Sequence, residues 1–218
     1  MTHSEWIRVY FEEKAAIAQS MEGAEVERLV AAVIRCYDAD GTVYVCANGG
    51  PAGAAESFAV DLKTHPFVAD NKGVTTAIRR LRVACLNESA GVITGISNDL
   101  GYEQIFVEQL KNHLRAPDVN GSDVFIAFSG SGNSKNVLAA FEFAKPFGVT
   151  TACIAGRGGG KAKAAGDICV LVPGTSRFPG QTGSNDNNFH IEDFQMSVTH
   201  VVTGLLKDYV SRLQLTVP

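Results

Sequence analysis

The stretch that decides the fold is DVFIAFSGSGNSKNVLAAFEFA, residues 123–144. It begins with an apolar run that is typical of a strand buried on both faces of a parallel sheet. It ends with an amphipathic run whose apolar residues recur at helical spacing. The turn between the two runs carries three serines, two glycines and an asparagine. The stretch therefore predicts a strand–turn–helix unit of an α/β fold, with a candidate ligand site at the turn.

The same unit recurs along the chain. Strands are predicted at TVYVCA (42–47), LRVACLN (81–87), DVFIAF (123–128), VTTACIA (149–155) and DICVLV (167–172), and helices at 52–63, 102–114, 133–147, 161–165 and 190–213. Because alternating strands and helices form right-handed crossovers, we predict a doubly wound parallel five-stranded sheet flanked by helices. The first forty residues have the apolar stripes of amphipathic helices. We predict a helical extension over residues 1–40, used in oligomerisation, and a ligand-binding domain over 41–218.

Composition excludes several classes of partner. The chain has 218 residues, of which 45% are hydrophobic, and a formal net charge of −4. This charge argues against nucleic acid as a partner, which needs a clustered basic face. The apolar runs are too short to span a membrane. The five cysteines form no CxxC pair, and most lie inside apolar runs, which is typical of buried thiols in a reducing compartment. We therefore expect a cytoplasmic protein.

The turn in the deciding stretch suits a phosphate monoester. Ser129, Ser131 and Ser134 offer three hydroxyls, and the neighbouring glycines let the backbone approach a ligand closely. The start of the next helix adds unpaired N–H groups and a partial positive charge. The alternative is an ordinary turn with a serine N-cap, which needs only one serine. Since the turn matches neither the Walker A pattern nor GxGxxG, no nucleotide cofactor is expected.

The residues also resemble a known family. FSGSGNSKNVLAAFEFAKPFGVTTACIAGRGGGKAKAAGDICVLVP (128–173) is similar to the sugar isomerase, or SIS, domain of phosphosugar-binding proteins, in which the serine-rich loop holds the sugar phosphate. VYVCANGGPAGAAESFAVDL (43–62) and GISNDLGYEQIF (95–106) resemble segments of bacterial phosphoheptose isomerases. Those enzymes convert sedoheptulose 7-phosphate into D-glycero-D-manno-heptose 7-phosphate. The resemblance implies a SIS phosphosugar-binding domain over 41–218, this ketose–aldose isomerisation, and a homotetramer assembled through the N-terminal helices.

The resemblance also implies a set of substrate-binding residues. They are Asn48, Gly49, Gly50, Asn98, Asp99, Ser129, Gly130, Ser131, Asn133 and Ser134. In the family, the Asn98–Asp99 pair would face the sugar hydroxyls. Taken from the residues alone, the pair is equally explained as a helix N-cap before LGYEQIF. Pro51 stands where the isomerases usually carry serine, so one polar contact to the sugar is expected to be lost.

Isomerisation needs a base near carbon and an acid near oxygen. In the phosphoheptose isomerases, a histidine and a glutamate on one helix and a glutamine and a histidine on the last helix serve as zinc ligands and acid–base groups. Matching segments places Ser57, Asp61, Glu192 and His200 at these four positions. Asp61, Glu192 and His200 are thus the predicted catalytic residues. They would act either around Zn²⁺ or another divalent metal, or without metal, with a carboxylate as base and His200 as acid.

The departures from the family keep a second hypothesis open. Because serine is a poor zinc ligand, the chain is alternatively a non-catalytic SIS module that binds a phosphosugar or a protein, as in replication initiator-associating proteins. His65 and His190 are further ionisable side chains near the predicted site. The segment GRGGGK (156–161) is interpreted as a surface turn.

Overall fold

The computed structural model describes residues 1–69, 76–114, 121–181 and 187–215, with side chains through residue 213. The α-helices are α1 His3–Ser20, α2 Gly23–Asp38, α3 Gly50–Thr64, α4 Ala90–Leu100, α5 Val107–His113, α6 Lys135–Ala144, α7 Gly160–Ala165 and α8 Asn188–Leu215. The strands are β1 Thr42–Ala47, β2 Arg82–Cys85, β3 Val124–Ser129, β4 Thr150–Gly156 and β5 Ile168–Val172. Short 3₁₀ helices lie at His65–Phe67, Tyr102–Gln104 and Lys145–Phe147.

The five strands form one parallel sheet in the order β2-β1-β3-β4-β5. In the centre of the sheet, Val45 pairs with Ile126, and Ile126 pairs with Ala152. The chain leaves β1 toward β2 on one side and resumes at β3 on the other. The loops after β1 and β3 therefore diverge and open a crevice at their carboxyl ends, where ligands bind in such sheets. The predicted fold class is confirmed.

Two apolar layers cover the sheet. Helices α2, α3 and α8 contribute to one layer, where the ring of Phe58 meets that of Phe128. Helices α5, α6 and α7 contribute to the other, where Phe125 and Phe141 lie 5.5 Å apart between ring centroids. Helix α2 packs in the same core as the sheet. The predicted domain boundary at residue 40 is not tested by this packing and stays a prediction. Within the described residues, no helix is long and apolar enough to cross a membrane.

The segment between β2 and β3 differs from its prediction. The expected helix over 102–114 is divided into a 3₁₀ turn and the shorter α5, and the unpredicted helix α4 precedes them. Helix α4 ends at Gly101, whose φ of 92° is readily adopted only by glycine. Asn98 and Asp99 lie in the last turn of α4, and its N-cap is Ser89, whose hydroxyl accepts from the N–H of Val92. The interpretation of Asn98–Asp99 as an N-cap is therefore wrong.

Candidate active site

The serine loop, residues 129–134, connects β3 to α6. Ser129 is buried, and its Oγ accepts a hydrogen bond from the N–H of Gly132 at 3.1 Å. The same Oγ lies 3.4 Å from that of Ser134. Ser134 is the N-cap residue of α6, yet its hydroxyl makes no capping hydrogen bond. Two of the three serine hydroxyls thus converge on one point at the start of a helix, which an ordinary N-cap does not require.

A cavity of about 400 Å³ lies at the carboxyl ends of β1 and β3. Seven of the predicted substrate-binding residues line it: Asn48, Gly49, Gly50, Ser129, Gly130, Ser131 and Ser134. Pro51, Phe128, Arg157, Asn188 and Glu192 complete the described lining. Asn98, Asp99 and Asn133 are not part of that lining, and their contacts with a substrate stay predictions. Asn133 instead holds the loop, because its amide donates to the carbonyl of Ser131 and accepts from the N–H of Lys161.

A second loop, residues 156–160, packs directly behind the serine loop. The N–H of Gly156 donates to the carbonyl of Gly130 at 3.2 Å, and the N–H of Ala162 donates to that of Gly132 at 2.9 Å. A side chain on Gly132 would overlap the carbonyl of Gly159. The segment GRGGGK does form a turn in which Gly158, Gly160 and Lys161 are exposed, but its glycines also let two backbones approach closely. The cluster of glycines in the sequence indicated a close approach of two backbones. It did not show that the other backbone is the serine loop, which lies well before it in the chain.

Asn48 is oriented by three hydrogen bonds. Its amide pairs reciprocally with that of the buried Asn136, each donating to the other at 2.8 Å. The hydroxyl of Tyr102 donates to the Oδ1 of Asn48, also at 2.8 Å. Because Oδ1 accepts twice and Nδ2 donates once within the protein, one N–H of Asn48 remains to be offered to a ligand. Sequence reasoning missed Asn136 and Tyr102, whose contacts with Asn48 join three separate segments.

The carboxylate of Glu192 lies at the start of α3. A side chain on Gly50, the first residue of α3, would overlap this carboxylate. The amide of Asn188, one turn earlier on α8, donates to Glu192 Oε1 at 2.8 Å. The amino terminus of a helix carries a partial positive charge, which favours a carboxylate there. The side chain of Glu192 is thus held at the edge of the serine-lined cavity.

Asp61 and His200 share a second pocket, of about 310 Å³, with His65, Thr203 and Gly204. Thr203 is buried, and its hydroxyl has no hydrogen-bond partner in the part of the chain that the structure describes. The structure thus brings together two of the three predicted catalytic residues. Glu192 precedes His200 on α8 by about 12 Å along the axis, at the usual rise per residue, and lines the other cavity.

The predicted metal ligands are therefore divided between two pockets, with Glu192 in one and Asp61 and His200 in the other. Over the ranges that the structure describes, no group of three histidine, cysteine, aspartate or glutamate side chains is placed to hold a metal. Ser57, at the position of a family ligand, offers only a hydroxyl. The described residues of one chain therefore do not fit the predicted zinc site, and we assign no chemical step to a metal.

His190 is fully buried against α1 rather than in either cavity. Its Nε2 lies 3.0 Å from Glu13 Oε2, and its ring packs on that of Tyr10. Burial acts to raise the pKa of Glu13, but hydrogen bonds from Ser176, the N–H of Arg177 and His190 outweigh it and lower that pKa. Burial, reinforced by a hydrogen bond to Asp193, raises the pKa of the Tyr10 hydroxyl. This cluster fastens α1 to α8 and to the segment before it.

Comparisons with known proteins agree with this geometry. The SIS domain model matches residues 9–156. The phosphoheptose isomerase of Helicobacter pylori (strain P12) is 32% identical over 196 residues, which cover 89% of this chain and 90% of that protein. The phosphoheptose isomerase of Rhodospirillum rubrum is 33% identical over 185 residues, 85% of this chain and 84% of that one. The solved structure of phosphoheptose isomerase from Neisseria gonorrhoeae superimposes with a TM-score of 0.77 at 23% identity, over 95% of this chain and all of that one.

Proposed function

The chain belongs to the SIS-domain family and, within it, to the phosphoheptose isomerases, and we propose that it converts sedoheptulose 7-phosphate into D-glycero-D-manno-heptose 7-phosphate. The observation that carries this proposal is the cavity of about 400 Å³ in which the serine loop and the carboxylate of Glu192 face the same space. In this proposal, the serine loop binds the phosphate at one end of the cavity, and the carboxylate of Glu192 accepts a proton from the sugar beside it. The cavity thereby meets the two basic needs of a phosphosugar isomerase.

Each side chain has a role in this proposal. Ser129, Ser131 and Ser134 bind the phosphate, and the spare N–H of Asn48 binds a sugar oxygen. Glu192 takes the carbon-bound proton from one carbon and returns it to the next, while a second group moves the proton between the two oxygens. His200 is the candidate for that second group, with Asp61 beside it.

Asp61 and His200 line the other pocket, so they reach a sugar bound in the serine-lined cavity in one of two ways. Either the sugar extends along α8, or a second copy of the chain brings its own pair to the cavity. Exposed apolar residues support assembly: Val60 and Val201, next to Asp61 and His200 in the chain, are 57% and 47% exposed. We propose a homotetramer. We also propose a cytoplasmic location, since the five cysteines are all free and four of them are buried.

A second candidate function is a phosphosugar-binding module without turnover. Ser57 and the separation of Asp61 and His200 from Glu192 favour it. An assay of purified protein on sedoheptulose 7-phosphate, with the aldose product measured directly, distinguishes the two. Turnover by the parent and its loss in Glu192→Ala would support the isomerase. Calorimetric binding of the sugar phosphate without turnover, with or without added divalent metal, would establish the module instead.

A further inference from the structure

Arg157 occupies an unusual backbone position beside the serine loop. It follows β4 directly, and its φ of 56° lies in the left-handed region that favours glycine. Asp40 is the only other non-glycine residue with positive φ among those that the structure describes. Three glycines follow Arg157 in the chain, so the loop is otherwise built from the residue that this conformation prefers. A side chain kept at a strained position points to a role for that side chain.

Arg157 is one of the residues that line the serine-lined cavity. Its Nη1 donates to the carbonyl of Gly130 at 3.3 Å, between Ser129 and Ser131. Among the described residues that line the cavity, Arg157 is the one cation and Glu192 the one anion. Lys135 follows the serine loop directly in the chain, but its side chain is 79% exposed and lies 2.8 Å from Glu103 Oε1. Among the described lining residues, the positive charge of the cavity therefore comes from Arg157.

A phosphate monoester brings a charge of about −1.5 to −2 at neutral pH into this space. The serine hydroxyls and backbone N–H groups are neutral donors, and the carboxylate of Glu192 repels a second anion. Taking such a charge out of water is costly unless a cation accompanies it. A guanidinium keeps its positive charge at neutral pH, and its N–H groups donate to phosphate oxygens.

We propose that Arg157 binds the phosphate of the substrate and sets the preference of this cavity for phosphorylated over free sugars. This inference rests on the proposed function, because it places the phosphate at the serine loop. It adds to that function the residue that neutralises the phosphate.

The test compares Arg157→Gly, Arg157→Lys and the parent by calorimetry with inorganic phosphate, sedoheptulose 7-phosphate and sedoheptulose. Glycine suits the backbone conformation, so this variant removes the side chain without adding strain. We expect Arg157→Gly to bind both phosphate probes about 10–100-fold more weakly, since a hydrogen bond to a charged group is worth that much. Its affinity for the free sugar should not change, and Arg157→Lys should fall in between. Added ethylguanidinium should restore part of the phosphate affinity of Arg157→Gly.

Lys135→Ala is the matched control, because it removes a positive charge beside the same loop. It should bind all three probes with the affinity of the parent. The inference would be overturned if the double variant Ser129→Ala/Ser131→Ala binds phosphate more weakly than the parent while Arg157→Gly binds it as tightly as the parent. An equal loss for phosphorylated and free sugar, without rescue by ethylguanidinium, would also overturn it and make Arg157 a brace for Gly130. Unchanged affinity in the double serine variant would refute the phosphate assignment of the proposed function itself.

Discussion

The carboxylate of Glu192 on α8 lies directly against the backbone of Gly50 on α3, with no room for a side chain between them. This contact places a charged carboxylate at the positive end of α3 and at the mouth of the serine-lined cavity. The position of Glu192 therefore depends on residue 50 being glycine, which has no side chain.

Replacing Gly50 with alanine should therefore reduce activity without unfolding the protein. The atoms in the way of the new methyl group belong to the end of a flexible side chain, which swings aside at little cost. A displacement of about 1 Å in a catalytic group can lower turnover by about 10²-fold. Turnover and thermal melting of Gly50→Ala are the measurements. Gly53→Ala on the same helix meets nothing within 4 Å and serves as the control, with full activity.

His200 should be required for turnover but not for binding. Histidine has the unperturbed pKa closest to neutral, and His200 is exposed in its pocket, so His200→Gln should fold normally. Loss of a general acid costs about 10²–10⁴-fold in rate. Single-turnover kinetics and calorimetric affinity for sedoheptulose 7-phosphate would separate the two effects. If His200→Gln keeps the parent rate while His65→Gln loses it, the acid is His65.

Any divalent metal should bind weakly. Asp61, His65 and His200 line one pocket, but among the described residues no three such side chains are placed to hold a metal, and Ser57 adds no strong ligand. Elemental analysis after brief chelation should find far less than one zinc per chain. Ser57→His, which adds an imidazole one turn before Asp61 on α3, should raise the zinc affinity measured by calorimetry. Stoichiometric zinc that survives prolonged chelation of the parent would contradict this expectation.

The chain should assemble through α1. Ile7 and Phe11 are 57% and 63% exposed and, with Tyr10, Phe178 and Phe189, line an apolar groove of about 340 Å³. Apolar surface of this kind is typically covered by a partner. Sedimentation should show a tetramer for the parent and smaller species for Ile7→Ser/Phe11→Ser. Arg8→Ala, on an exposed part of the same helix, should leave the assembly intact. A parent that stays monomeric at micromolar concentration would refute the assembly.

Glu13 should stabilise the fold in a pH-dependent way. Its pKa is lowered in the folded protein, so its contribution is complete above the pKa of the unfolded chain and is lost as pH falls through the folded value. At pH 7, Glu13→Gln should lose about 1–3 kcal/mol of unfolding free energy, as expected when buried hydrogen bonds are disrupted. The gap to the parent should narrow below about pH 4. Denaturant unfolding at several pH values checks this, with the exposed Glu12→Gln as the neutral control.

The sequence predicted the sheet well because each strand is a short apolar run between turn signals, as Val124–Ser129 illustrates. Helix α4 was missed because AGVITGISNDL contains two glycines and several β-branched residues, which disfavour helix, and none of its residues is buried. That Glu192 and His200 line different pockets was missed for another reason. Spacing along a helix gives the direction of a side chain but not which neighbour meets it, and their separation of about 12 Å places them in different pockets.

The loop behind the serines determines the polarity of the surface that a ligand meets. A bare turn would present carbonyl oxygens as readily as N–H groups. Here the carbonyls of Gly130 and Gly132 accept from the N–H groups of Gly156 and Ala162, so these acceptors are already engaged within the protein. What remains toward the ligand is rich in donors. Engaging these lone pairs within the protein leaves the serine loop better suited to an anion than to a cation.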